Sequence, residues 1–243
     1  MQNRAVTVFV TGACVVAGAF LVLQDWSQLT TLNSADYWGL GTLALLALVS
    51  EQQAVHIKVG RVTSIGFLPL FTLVLLFGPA ATVATVLAMG AVVEYAIRRK
   101  EAIRANFNLA QWVVSTAVGG WAFTAAGGIA LMASEASGQP NVLDQFGPFV
   151  LFGVVVPWIN NASVAMVMSL AQGLPYRQVW SRLVGPAGTN ILADLLTAPI
   201  AIAVAASISR RAPWAFCSRF CRSSLFAIHT RRRINSNWRT MIC

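Results

Sequence analysis

From Ser64 to Trp112 the chain reads SIGFLPLFTLVLLFGPAATVATVLAMGAVVEYAIRRKEAIRANFNLAQW, an order of residues suited to hydrocarbon and not to water. Ser64 to Phe77 is apolar or small throughout, Gly78 and Pro79 punctuate it, and Ala80 to Ile97 is apolar again apart from Glu94. Two hydrophobic helices joined by a tight Gly-Pro turn are expected. Arg98, Arg99, Lys100 and Arg104 then form a cationic block, and cations that flank apolar spans stay on the cytoplasmic side. Beyond the block, Phe107 opens another apolar helix.

Composition supports the same class. Hydrophobic residues make up 57% of the chain, charged residues 10%, and the mean hydropathy is +0.67, so the lipid bilayer is its expected solvent. The fold class is therefore an all-α polytopic bundle of about seven spans with its N-terminus inside, over residues 1–211, followed by a basic tail over 212–243. The net charge of +9 does not argue for nucleic acid, because eight of the seventeen cations follow Ile208 in a stretch without an acid. The others lie between apolar runs, as a topology signal does. Cys14, Cys217, Cys221 and Cys243 have neither disulfide nor zinc spacing.

Taken in order, Ala5 to Leu23 is a first span, read as a signal anchor. An acidic outer linker leads to Tyr37 and Trp38, the aromatic anchor of a second span that ends near Ser50. Ala54 to Thr63 alternates apolar and polar residues with a period of two, which predicts a short strand or extended interfacial segment. The third span has fourteen residues before Gly78, short of the roughly 20 needed to cross; it recruits Val59 to Thr63 or is re-entrant. On the fourth, Ala80, Ala84, Leu87, Ala91 and Glu94 form a stripe that lets a neighbour approach. The fifth runs from Asn108 to about Met132, with Asn108, Gln111, Ser115 and Gly119 on an inward face. Ser134 to Gly147 is an outer loop, and a sixth span covers Pro148 to about Leu170, interrupted by Pro157, Asn160 and Asn161. Gly173 to Gly188 is an inner loop, and Asn190 to Ile208 a seventh span carrying Asp194. Beyond Arg211 an eighth span is degenerate. Two origins fit that tail, a juxtamembrane segment that binds anionic lipid or a change of reading frame, and the abrupt arrival of three cysteines and, from Arg210 on, eight of the seventeen cations favours the second.

Motifs for nucleotide binding or hydrolysis are missing and the chain has two histidines, so it is not expected to be an enzyme or to carry a cofactor or metal. Acids within apolar spans are costly and mark function or specific pairing. The candidate ligand-binding residues are Glu94, Asn108, Gln111, Asn160, Asn190 and Asp194. Most share the inner half of the bundle, where they could hold a small ligand, a cation or a proton. The competing reading pairs Glu94 with Arg98 one turn on and leaves the amides as interhelical glue; it is the favoured one. A homo-oligomer is compatible with either.

The run LPLFTLVLLFGPAATVATVLAMGAVVEYAIRRK, followed by FNLAQWVVSTAVGG, resembles the N-terminal multi-helix membrane region of bacterial signalling proteins that carry a cytoplasmic HD-GYP or GGDEF domain. The resemblance covers about Ser50 to Ile208, and the short LFAIH at Leu225 to His229 looks like the helix that leads into such an output domain. It implies a sensor or anchor module in the bacterial inner (plasma) membrane, cut off before its catalytic domain, and it carries over no ligand residues. The alternatives are a transporter subunit similar to the substrate-binding membrane component of vitamin uptake systems, and a purely structural membrane protein.

Overall fold

The computed structural model describes residues 2–52, 55–58, 61–63, 67–132, 143–184 and 198–209. Helix α1 spans Gln2–Leu23, a single turn α2 spans Ser27–Thr30, and α3 spans Ser34–Gln52. Asn33 starts α3 by reciprocal capping: its Oδ1 accepts from the Ala35 and Asp36 amides at 2.8 and 3.0 Å, while Asp36 Oδ2 accepts from the Asn33 amide at 3.0 Å. These contacts satisfy donors that a helix start otherwise leaves orphaned. The alternating stretch forms a small antiparallel hairpin, β1 (Val55–Lys58) with β2 (Arg61–Thr63), in the register Val55 to Thr63 and His56 to Val62. The expected extended segment is thus present, and among the described residues the other regular elements are helical.

Helix α4 covers Phe67–Ala91 but is broken at Gly78, whose φ of 81° and ψ of −179° lie outside the helical region. Glycine reaches that conformation without penalty, and Pro79 starts the second segment where its missing N–H costs nothing. The chain reverses there. Phe67 packs on Trp112 of α5 (Ala102–Ala125) and Pro79 on Gly120, whereas Gly90 meets Leu109 and Glu94 meets Asn108. Residues 67–77 therefore run with α5, and residues 79–91 run against it. The first segment has eleven residues, about 16 Å at 1.5 Å each; it stops short of a crossing, as its length in sequence implied.

The expected stripe faces α5 in part, since Leu87 packs against the cluster of Ala110, Val113 and Ala117 and Glu94 bonds Asn108. Ala84, Leu87 and Ala91 are only half-buried, and the closest approaches use Gly120, where a Cβ would lie 2.6 Å from Pro79 Cβ, and Gly90, where it would lie 2.8 Å from Leu109. The expected inward face of α5 is found: Gln111, Ser115 and Gly119 are buried and Asn108 is half-buried. The fifth helix begins and ends earlier than expected, at Ala102 and Ala125; Gly127 with φ 84° lies just past its end, and Leu131 and Met132 donate amides to the Leu75 and Leu76 carbonyls at 2.8 and 2.9 Å.

Helix α6 (Phe146–Gln172) runs through Pro157. Asn161 Nδ2 donates to the Pro157 carbonyl at 2.8 Å, and Gly119 lets Val156 and Phe152 settle on α5. Gly173, with φ 67°, ends α6 in the left-handed cap that favours glycine. The segment after it, expected as an inner loop, is partly a nine-residue helix, α7 (Tyr176–Val184), whose Trp180 packs edge-on to Trp158 of α6. Helix α8 (Ala198–Ser209) covers part of the expected seventh span, and its Ala201 and Ala205 join Leu70, Phe71, Leu73 and Phe149 in the main core.

Candidate functional site

The polar cluster forms where α4 ends and α5 begins. Residues Val92–Ile97 continue α4 as a wider π-helical turn, with the Arg98 amide donating to the Val93 carbonyl at 2.8 Å. Arg99 follows in the left-handed region at φ 48°, an unusual conformation for a residue with a Cβ. That reversal lets the Lys100 amide donate back to the Glu94 carbonyl at 3.1 Å. In a continuing helix a residue six positions on would lie well around the cylinder from Glu94. Here Lys100 folds over it instead.

Glu94 is consequently surrounded. Its Oε1 accepts from Arg98 Nη1 at 3.1 Å and Lys100 Nζ at 3.2 Å; its Oε2 lies 2.9 Å from Lys100 Nζ and accepts from Asn108 Nδ2 at 2.8 Å. The Glu94 side chain is 7% exposed, against 34% for Arg98 and 32% for Lys100. A carboxylate removed from water is tolerable when it is paired and hydrogen-bonded, and this one has four contacts from three side chains. Beside it, the Tyr95 hydroxyl donates to Asn106 Oδ1, a second tie between the π-turn and α5.

Of the six expected site residues, the four that are described, Glu94, Asn108, Gln111 and Asn160, do not line one pocket. Glu94 and Asn108 meet directly. Gln111, one turn further along α5, lines a separate cavity of about 320 Å³ with Phe9, Gly12 and Ser163, and its buried Oε1 has no hydrogen-bond partner among the described residues. Asn160 on α6 likewise has a buried Oδ1 without a partner among them. Asn190 and Asp194 lie outside the described residues. The pairing of Glu94 with Arg98 was legible as an i, i+4 contact; the contribution of Lys100 was not, because it depends on the π-turn and the left-handed Arg99.

By length and composition alone, three helical stretches, Arg4–Leu23, Phe67–Ile97 and Phe146–Gln172, could cross a bilayer; the second folds back at Gly78, so it is not one straight crossing. Their length and apolar composition fit a helical membrane protein. No protein-family model, no curated protein and no solved structure matches the chain.

Proposed function

We infer that the chain is a multi-pass bundle of about seven spans in the bacterial inner membrane, with its N-terminus and the Arg98 to Arg104 turn in the cytoplasm, and that it serves as the anchor or sensor module of a signalling protein of the HD-GYP or GGDEF type. One observation favours an anchoring role over transport. The Glu94 carboxylate is neutralised by Arg98 and Lys100 and hydrogen-bonded by Asn108, so the charge that a transported cation or proton would need is already engaged. The same contacts clamp the basic turn between α4 and α5, the place from which a membrane module would pass a movement to a cytoplasmic partner.

Two experiments test this reading. Single cysteines placed in intact cells report sidedness: substitutions within Thr30 to Ser34 should react with an impermeant thiol reagent and Arg99→Cys and Arg182→Cys should not, and the opposite pattern refutes the topology. The neighbouring coding sequence separates signalling from uptake. An adjoining frame that encodes an HD-GYP or GGDEF domain supports the anchor; an adjoining ATPase gene, with substrate accumulation that depends on both proteins, defeats it.

A further inference from the structure

The inner ends of α1, α5 and α6 do not close on one another. Between them lies a cavity of about 700 Å³, within the roughly 300–1,000 Å³ of pockets that enclose a small ligand. The walls supplied by α1 and α6 are apolar, chiefly Val6, Val10, Val164 and Val167, whereas every charged lining group comes from the start of α5 and the turn before it: Lys100, Glu101 and Arg104. Arg104 meets Glu101 at 3.6 Å with both side chains 75% exposed, a solvated pair of small worth that leaves the guanidinium open to an anion. Arg98, Arg99, Lys100 and Arg104 outnumber Glu94 and Glu101, so the field at this end is positive.

We propose that the cleft seats one anionic phospholipid, its phosphate on Arg104 beside Lys100 and an acyl chain along the valine walls of α1 and α6. Charge at one end and hydrocarbon along the sides match an amphiphile better than a soluble anion, which would leave the walls without a partner. Basic pockets between membrane helices select acidic headgroups by the same physics. A zwitterionic lipid would fill the walls equally well but would gain less from the positive end. The site rests on the membrane reading and is independent of any signalling role, which the sidedness and neighbouring-sequence tests address separately.

The test uses the full chain in detergent, titrated with phosphatidylglycerol or phosphatidylcholine and observed by native mass spectrometry. A single phosphatidylglycerol adduct should form at lower lipid concentration than any phosphatidylcholine adduct. Arg104→Gln should weaken it about fivefold, the worth of one cation near a membrane surface. Val167→Trp, which fills the cleft, should abolish it with the thermal transition retained; should that variant not fold, Ala171→Leu narrows the same wall with less bulk. Equal binding of the two lipids would overturn the proposal, as would adducts indifferent to both Arg104→Gln and the cleft-filling change. Displacement of the lipid by glycerol 1-phosphate would instead make the cleft a soluble-anion site. An adduct that appears only after deletion of residues 212–243 would show that the chain's own tail occupies it, and would equally defeat the proposal.

Discussion

Helix α1 and the α4 segment are both strongly apolar, yet 89% of the most apolar stretch of Phe67–Ile97 is buried inside the protein and only 11% of that of Arg4–Leu23 is. Val8, Val15, Val22 and Leu23 are each at least 66% exposed on α1, while Phe71, Leu73, Val74, Leu75 and Leu76 have no exposed surface. Hydropathy alone does not separate a helix that faces lipid from one that faces protein, because hydrocarbon tails and leucine side chains are equally apolar. What separates them is shape. In α4 the break at Gly78 folds a short segment back into the middle of the bundle, where α3, α6 and α8 enclose it; α1 has no such break and leans on α5 with one face.

That contrast predicts the largest mutational effect at Phe71, which lies edge-on to both Phe149 and Phe152 with no exposed surface. Phe71→Ala should cost about 3 kcal/mol in unfolding from mixed micelles. Truncations of this kind cost about 3–5 kcal/mol in water-soluble cores, and the figure falls towards the packing and cavity share because the bilayer supplies little hydrophobic drive between helices. A loss below about 1 kcal/mol would mean that the enclosed segment is not the centre of the fold.

Next comes Gly120→Ala. Its new Cβ would lie 2.6 Å from Pro79 Cβ, and the rigid ring on a helix start has little room to retreat, so α4 and α5 must separate. About 1–3 kcal/mol is expected, as for other overpacked sites. The corresponding change at Gly12 of α1, where nothing lies within 4 Å of an added Cβ, should be neutral or slightly stabilising because alanine is the better helix former. The pair measured together sharpens the contrast more than either alone.

Glu94→Gln should rank third. It keeps the hydrogen bond with Asn108 but leaves Arg98 and Lys100 facing a neutral amide. Breaking a fully buried pair costs about 3–5 kcal/mol; with both cations about one-third exposed and rehydratable, about 1–2 kcal/mol is expected here. If Glu94 only clamps the basic turn, the output of a signalling fusion should fall only in proportion to the folded fraction. Loss of output at full folding would restore Glu94 as a ligand-binding charge.

Much of this was legible in the sequence, for physical reasons that differ by element. The Gly78-Pro79 break, the period-two segment that became the β1–β2 hairpin, and the inward polar face of α5 each depend on local conformation or periodicity, which neighbouring residues specify. The six-residue polar set was only partly resolved into a site. Depth along a span is readable from sequence, but the facing direction of Gln111 relative to Glu94 depends on how α1 and α6 pack against α5. Lys100 and the cleft beside Arg104 were hidden for a related reason. The Lys100 contact follows from a π-turn and a left-handed arginine that no spacing rule anticipates, and the cleft from how α1, α5 and α6 pack.

The smallest expected effect, at Val15, probes the other side of the contrast. Val15 is 66% exposed on a helix that the sequence marks as membrane-spanning. If that face meets lipid, Val15→Ala exchanges one contact with hydrocarbon for another and gains a little helix propensity, so its effect on unfolding in micelles should stay within about 0.5 kcal/mol. Val15→Asp should behave differently. A charge on a lipid-facing position near the middle of a span costs about 2.5–3.5 kcal/mol on insertion, so it should reduce the membrane-integrated fraction without creating a cavity in the core. Should Val15→Ala instead destabilise as much as Phe71→Ala, the exposed face of α1 is covered in the assembled protein, by a second copy or by another part of the chain. Crosslinking from cysteine at that position would then identify which.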